Sequence, residues 1–209
     1  MIRILVADDH PIIRKGVRQI VAAAPEIQVV AEASSGHEVL SLARDVGHDV
    51  VLLDLSMPDG DGLDVLKQLT RERRTIPVLV FTLHAEGQFA IRSFKSGASG
   101  YLTKEAAPAE LIGAIRKVAA GGRYVSAATA ERLADRLTSD EALPHERLSN
   151  RELQVLRLMA MGKPTRQIAA DLSLSAKTIG TYRTRIFEKM NLRSPAELAV
   201  YVARNKVFD

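Results

Sequence analysis

The sequence predicts an α/β chain: a doubly wound, five-stranded parallel sheet followed by a small all-α domain of four short helices. Three observations point there. Five short apolar runs alternate with five helix-like segments over the first 120 residues. Three of those runs are almost continuously apolar, the pattern of parallel strands covered on both faces. The charge balance then changes along the chain. Residues 1–120 hold 14 Lys and Arg against 15 Asp and Glu, whereas residues 147–209 hold 12 against 5. A near-neutral front and a basic tail piece mark two domains, the second facing an anionic partner.

Taken in order, strands are expected at Ile4–Ala7, Ile27–Ala31, Val50–Leu53, Pro77–Phe81 and Gly100–Leu102. Helices are expected at Ile12–Ala24, Gly36–Val46, Gly62–Arg73, Glu86–Ser96 and Pro108–Ala120. The last opens with Pro108 in its first turn and repeats Leu111, Ile112, Ile115 and Val118 on one face. Successive βα units lay helices on both sides of a parallel sheet. Gly121-Gly122 closes this first domain at residues 1–121. Residues 122–146 read as a linker with a helix at Ala127–Leu137, followed by the polar stretch Thr138–Arg147 carrying Pro144.

The second domain is expected over 147–209. Ser149 with Glu152 three residues on is a capping box. Leu153, Leu156 and Met159/Ala160 keep helical spacing until Gly162. Pro164–Leu172, Ala176–Asn191 and Pro195–Asn205 complete the four helices. The three-residue turn Ser173-Leu174-Ser175 makes the middle pair a helix-turn-helix.

Composition excludes several classes. There is no cysteine, hence no disulfide, thiolate metal site or Cys nucleophile. No apolar segment approaches the roughly 20 residues of a membrane span. Two acids follow the N-terminus too soon for a signal peptide, so the chain is expected to be cytoplasmic. The five histidines show no metal-ligand spacing. Asp59-Gly60-Asp61-Gly62-Leu63-Asp64 fails the calcium-loop pattern, because Leu63 stands where a ligand is needed.

The acids carry the chemistry. The apolar run Val50–Leu53 ends directly in Asp54, a charge that is costly to bury unpaired. In an open α/β sheet, ligands bind beyond the carboxyl ends of the strands. There the first strand presents Asp8 and Asp9, the third Asp54, the fourth Thr82, and the fifth runs through Tyr101 to Lys104. Crowded carboxylates with all-oxygen ligation suit Mg²⁺. Asp54 is then a nucleophile able to form an aspartyl-phosphate, with Lys104 and Thr82 around the phosphoryl oxygens.

"ADDH" at 7–10, "LLDLSMPDGDGLD" at 52–64, "VFT" at 80–82 and "SGYLTK" at 99–104 together resemble the receiver domain of bacterial two-component response regulators. The resemblance implies a flavodoxin-like receiver fold and a sensor histidine kinase that phosphorylates Asp54. It implies Mg²⁺ held by Asp9, Asp54 and the backbone carbonyl of Ser56, with Asp8 acting mostly through water. It implies phosphoryl contacts from Thr82 and Lys104. Tyr101 would be a switch aromatic that turns inward when Thr82 moves. His10 reads as local packing or capping, and His84 and Ser56 as neighbours of the site.

Residues 148–207 resemble the LuxR-type helix-turn-helix domain, and the whole chain resembles a NarL/FixJ-type response regulator. Ser175 would cap the recognition helix, leaving its first N–H groups for a phosphate. Lys177, Thr178, Thr181, Tyr182, Arg183, Arg185 and Lys189 are the expected contacts to double-stranded promoter DNA. Ile168, Leu172, Ile179, Ile186 and Met190 are assigned to the core. The run Ile179-Gly180-Thr181-Tyr182 departs from the Val-Lys-x-His of many family members. Gly180 either removes a base-reading lysine or lets the helix approach the sugar-phosphate backbone. The family's last helix often forms a dimer contact, which here would use Glu197, Leu198 and Tyr201 in a homodimer formed on phosphorylation or on DNA.

Two other functions are open at this point. Haloacid dehalogenase-type phosphatases also use a strand-end Asp, but need a second acid two residues on, where this chain has Ser56. The chain is therefore expected to accept a phosphoryl group, with at most slow autodephosphorylation, rather than to act as an enzyme. A constitutive DNA-binding protein could keep the first domain only as a dimerisation scaffold, against which stands the full set Asp8, Asp9, Asp54, Thr82 and Lys104.

Overall fold

A computed structural model describes residues 1–45, 47–57, 62–71, 76–83, 87–127, 129–131, 143–205 and 207–208. The chain divides into two compact units, Met1–Glu131 and Arg132–Asp209.

The first unit alternates β1 (Ile2–Ala7), α1 (Pro11–Val21), β2 (Ile27–Ala33), α2 (Gly36–Asp45), β3 (Val50–Leu53), α3 (Gly62–Arg71), β4 (Val78–Thr82), α4 (Gly87–Lys95), β5 (Gly100–Thr103) and α5 (Pro108–Ala119). All strands are parallel in the order β2-β1-β3-β4-β5. The sheet buries both faces. Ile4, Val6, Val50, Leu52 and Leu79 join Val17, Leu111, Ile115 and Val118 in one layer. Leu5, Val51, Leu53 and Val80, the alternate residues of β1, β3 and β4, are equally buried.

Element ends differ from expectation for local reasons. β4 starts after Pro77, which has no N–H to give the ladder. α1 ends at Val21 rather than Ala24, because Ala24 precedes Pro25 and a residue before proline is pushed out of the helical region. The expected helix Ala127–Leu137 falls mostly outside the described residues, as do Val46, Arg73, His84 and Glu86. Beyond α5, Tyr124 pairs with Gly100 as an isolated parallel bridge. Its carbonyl accepts from the Tyr101 amide at 3.1 Å and its amide donates to the Ser99 carbonyl at 3.0 Å.

The second unit contains α6 (Asn150–Ala160), α7 (Thr165–Asp171), α8 (Ala176–Met190) and α9 (Pro195–Arg204). The capping box forms: Glu152 N–H donates to Ser149 Oγ at 3.3 Å and Ser149 N–H to Glu152 Oε2 at 2.6 Å. The turn between α7 and α8 closes with Ser173 left-handed at φ 53°. Its amide and that of Leu174 donate back to Ala170 and Ala169, the bond pair of a Schellman turn. Leu153, Leu156, Ile168, Ile179, Ile186, Met190 and Leu198 make the core, while Leu172 is half-buried.

One stretch read as linker is structured. Pro144–Arg147 is a 3-10 turn, and His145 is 1% exposed. Its Nδ1 lies 2.8 Å from the Tyr201 hydroxyl, with the rings edge-on.

Candidate functional site

The sheet register assembles the first site. Ala7 of β1 pairs with Leu53 of β3, so the next residues, Asp8 and Asp54, emerge side by side. Leu53 also pairs with Val80 of β4, which continues two residues to Thr82, and Thr82 pairs with Thr103 of β5. Lys104 follows Thr103, its amide held by the Thr82 carbonyl at 2.9 Å. Asp8, Asp54 and Thr82 are at most 2% exposed.

The Lys104 ammonium reaches across to both acids, 2.5 Å from Asp8 Oδ2 and 2.7 Å from Asp54 Oδ2. Burial alone would push this ammonium down. Asp54 and Asp8 outweigh that and hold it above the ordinary lysine value. Asp54 Oδ1 accepts from the Ser56 amide at 3.2 Å, and Asp8 Oδ1 from the His10 amide at 2.9 Å.

His10 was expected only to pack or cap. It stands at the N-cap of α1 yet makes no side-chain capping bond. Its ring nitrogen Nδ1 lies instead 2.7 Å from Asp9 Oδ1 and 3.3 Å from Asp8 Oδ1. Asp8, Asp9, His10 and Asp54 each place one ligand atom within 4.8 Å of the others. The set fits a divalent cation. Lys104 engages two of the three carboxylates, and Asp9 adds a third to the cluster. Among the described residues no hydrogen bond reaches the buried Asp9 Oδ1, whose close neighbour is the His10 nitrogen.

Gly62 also belongs to the site. A Cβ there would stand 2.5 Å from Leu55 Cα and 2.7 Å from Leu55 O, so only glycine lets α3 begin against the segment that follows Asp54. Tyr101 is 1% exposed. The aromatic expected to turn inward is already inward here, so that position does not by itself report a phosphoryl group.

The second site is the face of α8. Ser175 Oγ accepts from the Thr178 amide at 3.0 Å and caps the helix. Lys177, Thr181 and Arg185 are exposed, as is Gly180, together with Thr184, which sequence reading had not placed among the contacts. The remaining expected DNA contacts are half-buried or already engaged inside the unit. Thr178 and Tyr182 are half-buried. Arg183 Nη1 donates to Thr165 Oγ1 at 2.8 Å, fixing α8 to the start of α7. Lys189 Nζ donates to Glu152 Oε2 at 2.7 Å, which makes it a strut to α6. For Glu152, burial would raise the carboxyl, but Lys189 and the Ser149 amide and hydroxyl hold it below the usual range.

On α9 the expected dimer residues separate. Leu198 is 2% exposed and belongs to the core, so it offers nothing to a second copy. Glu197 accepts from the Arg193 amide at 2.8 Å while its own amide donates to Ser194, a local cap. Tyr201 lines a shallow hollow with Ala196, Val200 and Arg204, and Val200 is 66% exposed.

Comparison with known proteins matches residues 4–116 to the response regulator receiver domain and residues 146–202 to the bacterial regulatory proteins of the luxR family. The chain is 40% identical to the response regulator GacA of Pseudomonas aeruginosa, covering 100% of this chain and 99% of that one. It is 36% identical to the response regulator UvrY of Escherichia coli, covering 98% and 95%. Among solved structures, RcsB of Salmonella enterica serovar Typhimurium, bound to promoter rprA in the presence of a phosphomimetic, superposes with TM-score 0.62. That likeness is at 26% identity over 97% of this chain and 99% of the other.

Proposed function

Because the chain belongs to the response regulators that join a receiver domain to a LuxR-type DNA-binding domain, we propose that phosphorylation of Asp54 by a sensor histidine kinase controls its hold on promoter DNA. It is a DNA-binding transcription regulator. One observation carries the switch reading: the buried ammonium of Lys104 on both Asp8 and Asp54. Lys104 holds the Asp54 carboxylate at the strand end, the position from which an Asp oxygen can act as nucleophile.

Asp8, Asp9, Asp54 and the Ser56 carbonyl would hold Mg²⁺, which neutralises phosphoryl oxygens during transfer. An Asp54 carboxylate oxygen attacks phosphorus as the bond from phosphorus to the donor nitrogen breaks, giving an acyl phosphate. Lys104 then transfers its hydrogen bond from the carboxylate to a phosphoryl oxygen, and the Thr82 hydroxyl turns toward the same group. Tyr101, packed on β5 beside them, repacks with Thr82 and alters the surface it supports. Ser56 stands where a turnover phosphatase needs an acid, so Asp54 acts as a slowly cleared acceptor rather than as part of an enzyme.

In the second unit, α8 enters the major groove with Lys177, Thr181 and Arg185 foremost. Two copies on DNA would meet through the exposed Ala196, Val200 and Arg204 side of α9, with Glu197 and Tyr201 at its border. A regulator that binds promoter DNA would act in the cytoplasm; among the described residues no helix is long and apolar enough to cross a membrane.

The test is phosphoryl incorporation from acetyl phosphate with and without Mg²⁺, comparing wild type and Asp54→Ala, with DNA retention read on the same samples. Labelling that needs both Mg²⁺ and Asp54 and tightens DNA binding is the expected result. Labelling that persists in Asp54→Ala, or leaves DNA binding unchanged, would reject the switch.

A further inference from the structure

The turn that leads into the DNA-binding unit is built into that unit. Pro144–Arg147 packs against α8, and the His145 side chain within it is buried. An imidazole is costly to bury without a polar partner. Its Nδ1 meets the Tyr201 hydroxyl at 2.8 Å, and the two rings stand edge-on with centroids 5.8 Å apart. The partners are 56 positions apart in sequence, so this one bond ties the end of the linker to α9.

Tyr201 lies in the last turn of α9, where a helix frays unless its end is held. Its backbone and its side chain are held separately. The Asn205 amide and side chain both donate to the Tyr201 carbonyl, at 3.0 and 2.8 Å. His145 engages the hydroxyl. Tyr201 is nevertheless only half-buried, and it lines the outer hollow with Ala196, Val200 and Arg204. One end of the ring is anchored inside the unit while the residue still shapes an outward surface whose apolar side chain, Val200, is exposed. A side chain already fixed in one rotamer costs less to order when a partner covers it.

We propose that His145 is a positioning residue for the pairing of two copies on DNA: through the Tyr201 hydroxyl it fixes the face of α9 that a second copy meets. The proposal rests on α9 being the contact between copies and deepens that reading.

The experiment uses the full chain, treated with acetyl phosphate and Mg²⁺. Its affinity is measured for a duplex with two half-sites, selected from a random-sequence pool, and for the same duplex with one half-site scrambled. The ratio of the two affinities reads pairing alone. Tyr201→Phe keeps the ring and removes only the hydroxyl. It should lower that ratio about tenfold, since a two-fold contact uses each position twice, and leave binding to one half-site unchanged. His145→Phe keeps an aromatic ring in the buried place and should do the same. The double variant should be no worse than either, because both changes remove one bond. A bond that serves folding alone would instead lower the denaturant midpoint and one-half-site binding together. That result, or variants that pair as wild type does, would overturn the proposal. Val200→Asp separates it from the reading beneath it and should abolish pairing. Pairing unchanged in Val200→Asp would overturn the α9 contact and this proposal with it. Pairing lost in Val200→Asp but intact in Tyr201→Phe would overturn the role of His145 alone.

Discussion

The strand ends around Asp54 and the outer face of α8 both depend on charge, yet they handle it in opposite ways. At the strand ends the charges are buried, and each carboxylate and the ammonium between them depend on one another. On α8 the useful charges stand in water, and the basic groups that do find protein partners, Arg183 and Lys189, are thereby withdrawn from the DNA-facing surface. In a low-dielectric pocket an unpaired charge is expensive, so function and stability are tied together. On a solvated face the same charge is nearly neutral to folding and can be given wholly to a ligand.

Removing the shared cation is the strongest way to break that contrast. Lys104→Met leaves Asp8 and Asp54 buried against each other, and the receiver unit should lose about 3 kcal/mol in urea unfolding. Added Mg²⁺ should restore part of the loss by replacing the missing positive charge. A variant as stable as wild type without Mg²⁺ would show that the two acids are not coupled through Lys104.

Glu152 is a buried charge inside the DNA-binding unit and sharpens the contrast from the other side. Glu152→Gln removes the charge that Lys189 and the Ser149 amide recognise, for about 2 kcal/mol at neutral pH. The sign with pH follows from the folded carboxyl lying below its ordinary value of 4.5. Its contribution is complete above that value and is lost as pH falls through the folded one. Wild type and variant should therefore draw together in denaturant midpoint as pH falls below 4.5 and separate toward pH 7. Parallel curves would exclude the ionised carboxylate as the stabilising form.

The smallest effect on folding belongs to the exposed face. Arg185→Ala should change stability by less than about 0.5 kcal/mol. Its effect should appear in DNA titrations at several salt concentrations, where the slope of log K against log salt falls by about 0.9. An unchanged slope would remove Arg185 from the phosphate contacts.

The same contrast explains what could be read from the chain alone. A carboxylate that ends four buried apolar residues is anomalous, and parallel register carries that anomaly to its neighbours. Asp8, Asp54 and Lys104 were therefore legible before any coordinates. His10 was not, because where an imidazole points at a helix start depends on its rotamer rather than on spacing. On short amphipathic helices the period shows which residues share a face, but not which face the other helices cover. Leu198 was thus placed outward though it is core. Arg183 and Lys189 were counted with DNA though Thr165 and Glu152 hold them, and exposed Thr184 was passed over. His145 lay in a polar, proline-containing stretch with no apolar period to betray its burial.

The bridge made by Tyr124 has a consequence for how the receiver keeps to itself. An outermost strand presents unpaired amides and carbonyls that can template another chain. On the β5 side that rim is partly taken: Tyr124 accepts from the Tyr101 amide and donates to the Ser99 carbonyl. The approach is possible because Gly100 has no Cβ, which would stand 3.1 Å from Tyr124 Cβ. The first residues beyond α5 are therefore more than a tether. They act as a stopper on the edge of the sheet, and a receiver cut at Gly121 would expose β5 to strand-on-strand association with its own copies.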